Sequence, residues 1–362
     1  MDRYRETVIL MGHNDVAIPG VETLRLKTLG RMLAGFCQVQ LIGFRGYNSK
    51  FRPKQILMLP YWILTAVSTI LIHRPKWVIV HNTTQFIPLL KVVKILSLSG
   101  FGICNDTILT WAMGPDTGHG WPMQSAIRSI LESVSAKMSD LVIVSSPLSK
   151  RLLAGKTRKI IVMPNLVDTE QLTRKNYSDR RRTIREKLGC GNDLVVAIVG
   201  PFDSSYNRTS LLWLRSSLHQ LPQKVRWLLI GKHLPHDTLS DVRVTQVGFV
   251  NDFFGYLSAS DALLIVRSAP TDGALNKMLQ AMSLAIPVIV TPEAYKSEQD
   301  WLLPGVNIIA AEEDKLIQLM NSKVLKAENL KEVGEKGRQA VEMLYSVSTY
   351  EPYFRAALKT RD

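Results

Sequence analysis

Short apolar runs of strand length alternate along this chain with longer segments whose apolar positions recur every three or four residues. Thr7–Met11, Val39–Phe44, Trp77–Val80, Gly102–Cys104, Leu141–Val144 and Lys159–Met163 read as strands, and Val21–Ala34 and Ser125–Lys137 as helices between them. After Asp168 the pattern breaks. Residues 173–192, TRKNYSDRRRTIREKLGCGN, are polar and basic, as a surface linker followed by a short helix would be. The alternation then restarts with strand Leu194–Gly200, helix Ser210–Gln220, strands Val225–Gly231 and Val242–Val247, helix Asp252–Ser258 and strand Ala262–Val266. From Glu312 onward the chain is helical. Strands and helices alternating at this spacing predict an α/β protein, with two doubly wound parallel-sheet domains facing a cleft. The boundary is expected near Thr169–Tyr177, giving domains of 1–170 and 171–345, with 346–362 a helix placed to cross back to the first.

In open α/β sheets the loops at strand carboxyl ends face the ligand. In the first domain this rule selects His13, Asn14 and Gly20 in the loop GHNDVAIPG, and Asn105 and Asp106 after the strand Gly102–Cys104. Residues 112–123, AMGPDTGHGWPM, form a glycine- and proline-rich loop bearing His119, an acceptor-side candidate or a merely solvated imidazole. No GxGxxG phosphate fingerprint accompanies the first loop, and an ordinary surface loop fits it equally.

In the second domain the stretch Ser268–Thr291, SAPTDGALNKMLQAMSLAIPVIVT, places a helix with apolar Leu275, Met278, Leu279 and Met282 between two buried strands. Asp272 and Gly273 stand at its start. A helix that begins where a parallel strand ends offers free N–H groups and a positive dipole end, which suit a phosphate or diphosphate.

Charge sharpens this picture. The chain of 362 residues carries a net charge of +14, and residues 1–170 hold 20 Lys/Arg against 10 Asp/Glu. Anionic partners are implied: lipid headgroups, a diphosphate-linked substrate or nucleic acid, although none of the usual nucleic-acid signatures is present and no nucleic acid is expected. Gln55–Ile72 is eighteen residues without a formal charge, flanked by Lys50, Arg52 and Lys54 and by His73, Arg74 and Lys76. It reaches the minimum length of a membrane span, yet Pro60, Thr65, Ser68 and Thr69 favour a buried helix with one apolar face at the bilayer surface. Tyr61, Trp62, Lys91 and Lys94 point the same way. Arg3, Arg5 and Glu6 lead straight into the first strand without a secretory pattern, so the expected location is the cytoplasm, with peripheral contact at the inner face of the membrane. Cys37, Cys104 and Cys190 lie far apart, which argues against a disulfide framework or a zinc site.

Two blocks carry a specific resemblance. Ser139-Asp140-Leu141-Val142-Ile143-Val144-Ser145 and Lys159-Ile160-Ile161-Val162-Met163-Pro164-Asn165-Leu166-Val167-Asp168 resemble the ADxVIxxS…KIxVIPNGVD signature of the group 1 glycosyltransferases. Val199-Gly200, Leu229-Ile230-Gly231, Val247-Gly248-Phe249-Val250, Ser260-Asp261-Ala262 and Ala281-Met282 with Pro287-Val288-Ile289 are similar to that family's second domain. The resemblance implies two Rossmann-like domains of the GT-B type, a nucleotide-sugar donor on the second, a glycan or lipid-linked acceptor on the first, and transfer with retention, without metal or cofactor. Departures from the family pattern mark a divergent member. Asp272 and Gln280 stand where the family has two glutamates, and Asn276-Lys277 resembles an SNKxxEA variant in which Lys277 meets the donor phosphates; a solvated helix lysine is the plain alternative. Pro201 replaces the arginine expected after Gly200, leaving Arg208 and Arg267 as candidate replacements for the cationic pair that neutralises the departing diphosphate. Asn105-Asp106 occupies the strand end where many relatives hold histidine. The candidate catalytic set is thus Asn105, Asp106 and Asp272. A fold that has lost turnover and serves as a binding or partner subunit is the competing expectation.

Overall fold

The computed structural model describes residues 6–13, 21–44, 53–81, 86–98, 100–107, 122–157, 159–234, 240–270 and 275–359. They form two compact units, 1–166 with 347–362, and 167–346.

In the first unit the chain runs β1 (Thr7–His13), α1 (Val21–Ala34), β2 (Gln38–Phe44), α2 (Pro53–His73), β3 (Trp77–His81), α3 (Ile87–Leu96), β4 (Gly102–Thr107), α4 (Pro122–Met138), β5 (Leu141–Val144), α5 (Pro147–Leu153) and β6 (Ile160–Val162). Its six strands are parallel in the order β2-β1-β3-β4-β5-β6. Alternation along the strands splits the core in two. Val8, Leu10, Trp77, Ile79 and Cys104 face α1, while Ile9, Met11, Val78, Val80 and Ile103 face α2 and α3.

Gln55–Ile72 is helical as expected and seats Trp62, Ala66 and Ile70 on the sheet at intervals of four. Among the described residues no helix is long and apolar enough to cross a membrane. Trp62, expected on the surface beside Tyr61, is buried at 2% exposure, because it begins that four-residue stripe.

The second unit contains α6 (Ser178–Lys187), β7 (Leu194–Val199), α7 (Ser205–Ser217), β8 (Val225–Ile230), β9 (Val244–Gly248), α8 (Phe253–Ser258), β10 (Ala262–Ile265), α9 (Asn276–Ser283), β11 (Val288–Val290), β12 (Ile309–Ala310), α10 (Leu316–Met320) and α11 (Ala327–Leu344). The sheet order β12-β11-β10-β7-β8-β9 is again all parallel. The strand order reverses between β7 and β10, where a doubly wound sheet opens its ligand crevice.

The change of unit falls at Leu166/Val167, ahead of the expected 169–177. Arg338 of α11 is the physical reason: its guanidinium donates to the carbonyls of Thr169 and Leu172, binding that stretch into the second unit. The polar run 173–192 is held there too. Arg181 and Arg185 of α6 reach the Asp261 carboxylate at 2.5 and 3.0 Å and the carbonyls of Ser258, Ala259 and Ser260.

Both Ser-Asp pairs of the motif blocks do the same work. Asp261 accepts from the Val195 N–H at 2.9 Å, and Asp140 from the Ile103 N–H at 2.9 Å and from Lys94 at 2.9 Å. Each aspartate ties the start of its strand, β10 or β5, to the neighbouring strand. The last helix, α12 (Val347–Lys359), belongs to the first unit, with Phe354, Ala357 and Leu358 in the α1-side core. Trp77 Nε1 donates to the Leu358 carbonyl and Lys159 Nζ to that of Ala357.

Candidate functional site

Two strand ends in the second unit come so close that a side chain is excluded between them. Gly231 sits at φ +146°, and a Cβ there would lie 2.9 Å from the Gly200 backbone. Gly231 N–H donates to the Gly248 carbonyl, and Gly248 is itself at φ +71°. The glycines of the Val199-Gly200, Ile230-Gly231 and Val247-Gly248 pairs therefore close the edge of β7, β8 and β9 and bring the carboxyl end of β7 to the switch point.

At that point stands Lys277, the second residue of α9. Its Nζ donates to the Val199 carbonyl at 2.9 Å and to Asn207 Oδ1 at 2.7 Å, while Asn207 Nδ2 donates to the Pro201 carbonyl at 3.0 Å. Burial, and then the charge of Arg267, push the Lys277 ammonium down to about 7. Arg267 follows β10 and is 4% exposed; its backbone N–H donates to Thr291 Oγ1 and its Nε to the Ala269 carbonyl. Two cations are thus held near each other at the switch point, and among the described residues no carboxylate hydrogen-bonds to Lys277. An anion is the ligand such a pair favours. α9 starts here, with Leu275 at its N-cap making no side-chain cap bond, so the positive end of the helix dipole lies at the switch point.

Of the candidates drawn from the sequence, Gly200, Arg267 and Lys277 come together at this point, and Asn276 and Gln280 lie on the same short helix, both half-buried. Arg208 sits exposed on α7, next in sequence to Asn207, and is not part of the Lys277 hydrogen-bond set. Asp272 and Gly273 lie outside the described residues, as do Asn14, Gly20, His119 and the side chain of His13. Asn207 escaped sequence reasoning because it carries no charge after Gly200, where the family pattern has cations; the site uses a neutral amide there to hold a lysine from across the sheet.

In the first unit β4 runs three residues further than expected, to Thr107, so Asn105 and Asp106 lie within a strand and are fully buried. The expectation of two polar residues facing a cleft from a strand end is corrected accordingly. Asp106 accepts from Arg25 Nε at 3.1 Å and Nη2 at 2.6 Å, and pairs with His81 Nδ1 at 2.7 Å. Arg25 also donates to the carbonyls of Met163 and Pro164. Burial alone would raise the Asp106 carboxyl, but the Arg25 charge and the His81 hydrogen bond override it and hold it well below the carboxylate range. A carboxylate so fully engaged joins α1, β3, β4 and the Pro164 turn; it has no lone pair in reserve for proton transfer.

The ionised Asp106 makes His81 Nδ1 the donor of this bond; among the described residues His81 Nε2 is buried without a partner, as are both amide atoms of Asn105. Arg25 and His81 also escaped sequence reasoning. An arginine inside an apolar helix stripe and a histidine closing an apolar strand were the available signals.

With the geometry in place, comparison with known proteins is informative. Residues 193–356 match the family model of the group 1 glycosyl transferases. The matched segment covers most of the second unit, including the switch-point site, and agrees with the resemblance carried by the motif blocks. No curated protein matches the chain. Solved structures do. Anabaena HepE in complex with UDP and glucose superposes with a TM-score of 0.74 at 15% identity, covering 98% of this chain and 99% of that one. Sucrose-phosphate synthase from Thermosynechococcus elongatus gives 0.75 at 17% identity, with 98% of each chain covered. WaaG, described as a glycosyltransferase involved in lipopolysaccharide biosynthesis, gives 0.69 at 13% identity, covering 98% of this chain and all of that one. At these identities the likeness establishes the fold, two parallel-sheet units of the GT-B type.

Proposed function

We propose that the protein is a glycosyltransferase that moves a sugar from a nucleotide-sugar donor to an acceptor, with the donor diphosphate held at the β7/β10 switch point. The observation that carries this reading is the Lys277–Asn207–Val199 cluster beside Arg267, inside the segment that matches the group 1 glycosyl transferases. Lys277 and Arg267 neutralise charge on the departing nucleoside diphosphate, together with the amides of the first turn of α9. Gln280, one turn further on, is placed for a ribose hydroxyl. Arg208 and the Asp272-Gly273 entry complete the donor side.

HepE complexes with UDP and with UDP-glucose support a uridine diphosphate sugar as donor, and GDP is the alternative base. Transfer proceeds with retention and needs no cofactor or metal; the nucleotide sugar is a co-substrate. WaaG's role in lipopolysaccharide biosynthesis supports a lipid-linked or cell-envelope glycan as acceptor. The first unit, with the sequence-derived acceptor candidates His13, Gly20 and His119, would receive it.

A second reading keeps the binding site and drops turnover. It is favoured by Pro201, which stands where the family carries a cation and cannot supply one. Release of UDP from UDP-glucose, and of GDP from a GDP-sugar, separates the two: steady release above the uncatalysed rate is expected of the enzyme. A thermal shift with UDP but no release with either donor would support the binding protein instead.

A further inference from the structure

The layer formed by α2, α3 and α4 on the first unit turns an unusual surface outward. A solvated helix layer normally carries charge on its outer side. Here eleven of the twenty-one exposed large hydrophobic side chains of the described residues lie on these three helices or just past the end of α3. Ile72 is 74% exposed, Ile95 66%, Leu96 78%, Leu98 94%, and Leu64 and Ile130 are exposed to a similar degree. Leu98 adopts φ +49°, a left-handed conformation usually given to glycine or asparagine, so a large apolar side chain stands where the backbone disfavours one and no packing inside the unit requires it. The three helices form one layer: α2 and α3 share one core beneath it and α4 packs beside α3.

Charge decides what covers it. Among the described side chains the three helices hold Lys91, Lys94 and Lys137 against one acid, Glu132, which is buried. Lys91 and Lys94 share Asp140, leaving the layer positive. A second copy of the chain would set like charge against like. An anionic lipid surface meets both features: it takes the apolar side chains at the headgroup boundary and the lysines at the phosphates.

We infer that this α2–α3–α4 face docks the protein peripherally on membranes containing anionic phospholipid. The inference gives location to the lipid-linked acceptor proposed above, but it does not depend on turnover and is tested without it. Co-sedimentation of the full-length protein with phosphatidylcholine vesicles containing 30% phosphatidylglycerol, a chosen test composition, is compared with pure phosphatidylcholine at low salt. The expected result is at least tenfold tighter binding to the anionic vesicles, weakened at least tenfold by Leu96→Glu with Leu98→Glu. Both positions are exposed, so the double variant keeps its melting temperature and its UDP affinity. Equal binding to the two vesicle types, or equal binding by wild type and variant, would overturn the inference. So would a dimer in light scattering that the double variant breaks while vesicles bind neither form.

Discussion

Asp106 and Lys277 were both drawn from the sequence as chemical residues, and their surroundings give them opposite standing. Asp106 is saturated by Arg25 and His81, so Asp106→Asn leaves a buried guanidinium without its counter-ion; such breaks cost about 3–5 kcal/mol. The unfolding midpoint of the first unit in urea should fall accordingly. The pH sign follows from the depressed carboxyl: Asp106 stabilises the fold above the unfolded value near 3.8, and that stability is lost as pH falls below it. Lys277 has the same sign in a higher pH window. Its ammonium is pushed down to about 7, so the apo fold gains stability from this group as pH rises from about 7 toward 10.5, where the unfolded lysine deprotonates. Anion binding needs the charged form. UDP affinity should therefore fall as pH rises above about 7, with proton uptake visible as buffer-dependent heats in calorimetry. Lys277 was legible because Asn276-Lys277 resembles a variant motif of the family. The burial of Asp106 was not, because where a strand ends depends on its neighbours: β3 and β5 extend the pairing of β4 to Asp106 and Thr107, and the sequence of β4 alone reads only to Cys104.

At the scale of elements, the two Ser-Asp motifs explain themselves as strand anchors. Asp261→Ala frees the Val195 N–H and strands two arginines of α6, a loss of about 2–3 kcal/mol to the second unit. Asp140→Ala should cost less, and in the first unit only, since its lysine partners are more exposed to water. Paired chemical-denaturation curves on the two variants check both the order and the unit affected. Elements with strong periodicity, such as α1 and β7, were read within a residue or two, whereas the two-residue β12 carries too little pattern to be seen. The helix of 55–72 was legible as a helix, but only packing decides which side faces the sheet, and it reversed the expectation for Trp62.

For the whole molecule, the chain leaves the first unit at Leu166 and returns at Val347, so that unit is not complete until α12 is made. Deleting residues 347–362 should expose Trp77 and the α1-side core and abolish the first unit's transition in calorimetry, while the transition of residues 167–346 persists. The two-unit plan was legible from the alternation of strands and helices, and the helical end of the chain was expected to cross back to the first unit. That Asn207 holds Lys277 at the switch point was not, because the two are seventy residues apart in sequence and only the sheet order joins them. That junction is the centre of the account. Calorimetric titration of UDP and GDP into the wild type and Lys277→Met tests it most directly. The predicted result is binding of at least one nucleotide by the wild type, weakened by about 1.5–3 kcal/mol, roughly ten- to a hundredfold, in the variant. Failure of the wild type to bind either nucleotide, or equal affinity in the two proteins, would contradict it.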